Sequence, residues 1–145
     1  MLKHSAAFSV LTLLLAFSTA AQQSQPTPKV APPESSTIPA EAAQLVNPIK
    51  PTPESIAQGK KYYGYDCAMC HGENGDGKGS VAVDEKLELR DFRDPATLKN
   101  RTDGELFYVL KTGKGHMPPE PIRFTQNELW NLINYVRSMS HRAGQ

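Results

Sequence analysis

Two thiols and an imidazole stand together at Cys67-Ala68-Met69-Cys70-His71. In this order, C-x-x-C-H, they form the attachment signature of c-type haem. The chemistry explains the spacing. Each thiol adds to one vinyl group of the porphyrin and becomes a thioether. Two intervening residues at a helix end bring both sulfurs to neighbouring vinyls, and the next residue turns its ring toward the iron. Competing uses fit less well. A structural zinc needs further ligands at matching spacing, and the chain holds only these 2 cysteines. A thioredoxin-like pair expects a βαβ setting, and no strand pattern is legible. A disulfide between them would close too short a loop to staple a fold.

Electron transfer through haem asks for a second axial ligand, and methionine opposite histidine raises the potential. Of the 4 methionines, Met1 lies in the leader, and Met69 sits inside the motif and cannot reach the opposite face. Met139 falls at core spacing on the last helix. Met117 remains, in Lys114-Gly115-His116-Met117-Pro118-Pro119. Gly115 lets the backbone approach closely, and the two prolines stiffen the loop behind the sulfur. His71 and Met117 are thus the expected metal ligands, and one haem c on Cys67 and Cys70 the expected cofactor. His116 competes for the sixth position, where it would give a lower potential, but reads better as a loop residue near the haem rim. His141 is expected in solvent, and His4 leaves with the leader.

Helices must hold these residues in place. Thr52 can cap a first helix, with Pro53 in its first turn and Glu54 against the dipole. That helix runs through Ile56, Ala57, Lys60, Tyr63 and Gly64 toward Cys67. Gly72, Gly75, Gly77 and Gly79 end it in a polar loop expected to be mobile. Asp94-Pro95 starts a short helix over Pro95–Lys99. Thr102-Asp103-Gly104-Glu105 is a capping box whose helix stops at Gly113. Thr125-Gln126-Asn127-Glu128 is a second box. The helix it opens sets Leu129, Leu132, Ile133, Val136 and Met139 on one face. Trp130 and Phe107 read as core. The fold class is all-α: about three main helices plus a short one.

The N-terminus reads as an address. Lys3 and His4 precede an apolar run from Ala6 to Phe17, and small residues follow at Ser18-Thr19-Ala20-Ala21. This is a secretory signal peptide over 1–21, cut after Ala20 or Ala21. An uncleaved anchor is the alternative, although the run is shorter than the roughly 20 residues of a spanning helix. The chain is therefore expected in the periplasm. Prolines 26, 28, 32, 33, 39, 48, 51 and 53 crowd the next segment. Residues 22–51 are expected to be an extended, flexible spacer, the domain to span 52–142, and 143–145 to be a tail.

Beyond the attachment motif, the residues from about Thr52 to Arg142 resemble class I cytochrome c. That family crosses its first and last helices through a glycine and an aromatic, here Gly59 and Tyr63, against a leucine and an aromatic, here Leu132 and Tyr135. Gly72-Glu73-Asn74-Gly75-Asp76-Gly77-Lys78-Gly79 is similar to the loop after the haem motif in bacterial members. Asp103-Gly104-Glu105-Leu106-Phe107 and Gly113 are similar too. One departure is Leu89-Arg90 before Asp91-Phe92, where many members carry prolines. A carbonyl of that loop normally accepts the proton on the histidine's other nitrogen, and the sequence leaves open which one serves His71.

The resemblance implies an electron carrier rather than an enzyme, exchanging single electrons with protein donors and acceptors, as a monomer. A haem-bearing subunit or tethered module of a larger respiratory oxidoreductase is the alternative, and an enzyme or sensor with an open iron position would require that Met117 not ligate. The net charge of +1 offers no concentrated basic patch for nucleic acid. Gly72 to Gly79 misses the final Ser or Thr of a phosphate loop and lacks a preceding strand. Glu73 and Asp76 lack calcium-loop spacing. Lys60, Lys61, Arg90 and Arg93 read as solvated charges, one of which, or Arg101, is a candidate partner for a haem propionate.

Overall fold

In the computed structural model, described for residues 37–120 and 123–142, the chain is helical, and the described residues contain no strand. The helices are α1 (Pro53–Asp66), α2 (Ala68–His71), α3 (Ser80–Asp84), α4 (Asp103–Thr112) and α5 (Gln126–Arg142). The signal peptide, residues 22–36 of the spacer and the tail lie outside the described residues. No described helix is long and apolar enough to cross a membrane.

Local rules set the ends of the three long helices. The Thr52 hydroxyl accepts the Ser55 N–H at 3.2 Å, with Pro53 in the first turn. Thr102 and Glu105 form the reciprocal box that opens α4. Thr125 and Glu128 do the same for α5, with the Thr125 N–H donating to the Glu128 carboxylate at 2.7 Å and the Glu128 N–H donating to Thr125 Oγ1 at 3.3 Å. Each box satisfies amides that helix geometry leaves without partners. Gly113, at φ 73°, closes α4.

The crossing of α1 over α5 organises the core. A Cβ at Gly59 would overlap the Asn131 carbonyl oxygen and lie 2.7 Å from Tyr135 Cβ, so only glycine allows this approach. Tyr63, 2% exposed, meets Tyr135 edge to face at 5.3 Å. Leu129, Leu132, Ile133 and Met139 complete the apolar face of α5, and Trp130 is buried with the Phe107 ring stacked on it at 4.1 Å.

Three regions differ from expectation. The expected spacer packs where it is described. A 3-10 turn, Ala42–Gln44, buries Ala42 against α4. Asn47 Nδ2 donates to Asn134 Oδ1 at 2.9 Å, and Asn134 Nδ2 donates to the Ile49 carbonyl at 2.9 Å. The folded unit thus begins before Thr52. Pro39, Pro48 and Pro51 limit regular helix here to the single 3-10 turn, but not docking, since the segment satisfies its backbone locally and is anchored to α5 through Asn47 and Asn134. Residues 95–99, expected as a helix, form turns around Asp94, whose Oδ1 accepts the Ala96 N–H at 2.9 Å. The glycine loop, expected to be mobile, is tied down. Gly75 is packed against Met139 and Phe92, and α3 follows it.

Candidate functional site

The attachment motif is a single helical turn. The Cys67 N–H donates to the Tyr63 carbonyl at 3.0 Å, closing α1. The Cys67 carbonyl then accepts both Cys70 N–H at 3.1 Å and His71 N–H at 2.8 Å. Two thiols and an imidazole are wound onto one turn in this way. Gly72, at φ 79°, ends it, and Tyr63 Oη donates to the Gly72 carbonyl at 2.8 Å. The glycine loop satisfies the carbonyls that the turn leaves open: Gly77 N–H donates to His71 and Gly79 N–H to Cys70, at 2.8 and 3.1 Å. A Cβ at Gly79 would lie 2.5 Å from the Ala68 carbonyl oxygen.

Phe92 lies over the His71 ring, centroids 4.7 Å apart and planes 25° from parallel. Its N–H donates to the Gly75 carbonyl at 2.7 Å. The neighbouring Asp91–Arg93 ion pair, 2.7 Å, stiffens this turn, and the Arg93 hydrogen bonds hold the Asp91 carboxyl down at about 2. His71 Nδ1 is buried and has no hydrogen-bond partner. The carbonyls of Leu89 and Arg90 instead pack against Gly77, where a Cβ would sit 2.7 Å from the Leu89 oxygen. Burial pushes the His71 pKa down, so its imidazole is neutral at neutral pH, with a lone pair available to a metal. Burial also pushes the Cys67 thiol up.

Met117 comes from the other side of the sequence. Lys114 and Met117 exchange N–H···O=C bonds at 2.9 and 3.0 Å, forming a tight loop. Gly113 and Gly115 sit at φ 73° and 60°, conformations that side chains resist. The Glu120 N–H donates to the Leu110 carbonyl at 2.7 Å and hooks the loop back onto α4.

Cys67, His71 and Met117 line one cleft of about 340 Å³. Most of its wall is apolar, from Tyr63, Phe92, Leu106, Val109 and Leu132, with Arg90, Arg101, Glu105 and Lys114 also reaching it. Arg101 donates to Glu105 at 3.0 Å. Cys70 is half-buried in the same turn but not part of the lining. His116, His141 and Met69 are exposed, and Met139 is core. Phe92 over His71, Ile38 on the cleft wall and the buried Glu120 Oε2 were not singled out by the sequence reading. All three depend on contacts between segments far apart in the chain, which no local pattern marks.

A family model for Cytochrome c matches residues 56–140. Among solved structures, a chain of the reducing HAO-like protein complex of Kuenenia stuttgartiensis is similar, with 27% identity and a TM-score of 0.56, over 67% of this chain and 48% of that one. This chain thus spans about half the length of that relative. The KustC0563 c-type cytochrome shares 27% identity over 56% of this chain and 95% of that one, with a TM-score of 0.49. Cytochrome cL from Methylophaga aminisulfidivorans shares 24% identity over 75% and 72%, with a TM-score of 0.47. No curated protein matches the sequence. The match covers more than half of the sequence and takes in the C-x-x-C-H turn, the α1–α5 crossing and the Met117 loop, so the chain belongs to the cytochrome c family, a family of haem-based electron-transfer domains.

Proposed function

We propose that the chain is a mono-haem electron carrier, rather than an enzyme, with porphyrin fastened to Cys67 and Cys70 and with His71 and Met117 as axial ligands. It works as a periplasmic monomer, exported by the leader over 1–21, between protein donors and acceptors. One observation carries this reading: the imidazole of the C-x-x-C-H turn and the Met117 thioether, from a distant loop, line the same largely apolar cleft. The residues fit the group. A neutral imidazole and a soft sulfur are the donor pair of high-potential cytochromes, and Cys67 lies in the cleft beside His71. When bound, haem supplies an iron that alternates between ferric and ferrous. The chain's own residues do the rest. Phe92 and the turn hold the imidazole, the two glycines and two prolines hold the sulfur, and the apolar wall disfavours the extra positive charge of the oxidised state.

The test is a visible spectrum and redox titration of the exported full chain. A sulfur-to-iron band at the red end is expected in the ferric protein. Met117→Ala should abolish it and lower the potential by a sizeable fraction of the roughly 0.8 V that axial ligands span, with haem still attached by mass. No tetrapyrrole adduct on the unmutated chain, or an undiminished band in the variant, defeats the assignment.

A second reading is supported by the likeness to a chain of a multi-protein complex. The domain would then serve as a haem-bearing subunit or tethered module, with residues 22–36 as its tether. Co-migration with larger partners in size exclusion of native extracts distinguishes this from a free carrier.

A further inference from the structure

We propose that the strap over residues 37–50 is a wall of the haem cleft, with Ile38 shielding the α4 side of the cofactor and thereby raising its potential; this rests on the haem reading above. Ile38 lines the cleft together with Glu105, Leu106 and Val109 of α4, although it lies outside the stretch matched to the family. Two anchors hold the strap that follows it. At the first, Ala42 sits on Gly104, where a Cβ would overlap the Ala42 carbonyl oxygen and lie 2.7 Å from Leu45 Cβ. At the second, Asn134, buried on α5, accepts from Asn47 Nδ2 at 2.9 Å and donates to the Ile49 carbonyl at 2.9 Å and to Ser55 Oγ at 2.8 Å. Ser55 Oγ donates in turn to Asn131 Oδ1 at 2.8 Å. A buried amide with its polar atoms so matched fixes position as well as energy. The strap between the anchors therefore has one seat, and the Ala42 N–H, donating to the Pro39 carbonyl at 3.0 Å, closes the turn that brings Ile38 back to the cleft. Water admitted there would favour the more charged ferric state, so withdrawal of the strap lowers the potential.

Gly104→Ala separates the strap from helix stability, because alanine is the better helix former in the first turn of α4. In the exported full chain, haem attachment is read first by mass. The variant should then show faster hydrogen exchange over residues 37–50, a lower midpoint potential and an unchanged sulfur-to-iron band. Ile38→Ser, which leaves both anchors in place, should lower the potential without releasing the strap. Attached haem with a potential unmoved in both variants overturns the inference alone. So does unaltered exchange over 37–50 in Gly104→Ala. An unmutated chain that carries no haem overturns the haem reading, and this inference with it.

Discussion

Glu120 shows how single side chains bear on the site without belonging to it. It follows the Met117 loop, its Oε2 is buried and lacks a hydrogen-bond partner, and its neighbours are Asp66, Arg123 and Cys67. Burial raises its pKa above the ordinary 4.5, the like charge of Asp66 adds to the rise, and Arg123, which is itself paired with Asp66, opposes it. The folded chain thus holds this proton more tightly than the unfolded chain does. Stability must fall as pH climbs from the ordinary value through the raised one, and the whole cost is present above it. Glu120→Gln keeps the shape and removes the charge. It should melt higher than the unmutated chain at neutral pH, and the two should converge well below pH 4.5, where both states are protonated. Thermal melts across pH decide this. A gap that persists in acid would assign the gain to something other than the carboxylate. The imidazole of His71 has the opposite shift, and neutrality is what a metal ligand needs.

At the scale of elements, the α1–α5 crossing is the joint on which the C-x-x-C-H turn hangs, because α2 continues directly from the end of α1. Gly59→Ala drives a methyl into the Asn131 carbonyl and the Tyr135 side chain. Overpacking of that kind costs about 1–3 kcal/mol, and denaturant titration should show it as a lower midpoint. Thr102→Ala removes half of a reciprocal cap and should cost about 1 kcal/mol; a loss near zero in either variant would contradict the geometry. These features were legible because their causes are local or pairwise. A Thr followed three residues on by a Glu carries its meaning within one turn, whereas the Gly59 and Tyr63 crossing was legible only through the resemblance to class I cytochrome c. The tight loop around Met117 was legible from Gly115 and the two prolines that flank it. The strap was not, because its anchors pair Asn47 with Asn134 and Ala42 with Gly104, and neither half of either pair is marked on its own. Residues 95–99 misled in the other direction. A proline after Asp is a good helix start, yet the Asp94 side chain caps a turn and the next element does not propagate.

For the molecule as a whole, the cleft opens at the surface and cuts into the core. Its lining includes Tyr63, Leu110, Leu132 and Ile133, which also belong to the buried cluster that joins α1, α4 and α5. Residues that line the cleft are thus core residues as well, so under the proposed function haem completes the packing of α1, α4 and α5, and its attachment to Cys67 and Cys70 keeps it in place. Replacing both anchoring thiols, as Cys67→Ser with Cys70→Ser, should give an exported chain that keeps much of its far-ultraviolet helical signal. It should lose near-ultraviolet fine structure and a cooperative melt, the behaviour of a compact state without fixed packing. Haem added in solution should restore cooperativity in part, since the proposed ligands His71 and Met117 remain, and dilution should reverse the rescue. A sharp melt in the double variant without added haem, matching that of the unmutated chain, would mean that the helices close over the cleft unaided and that the cofactor is a passenger in the fold.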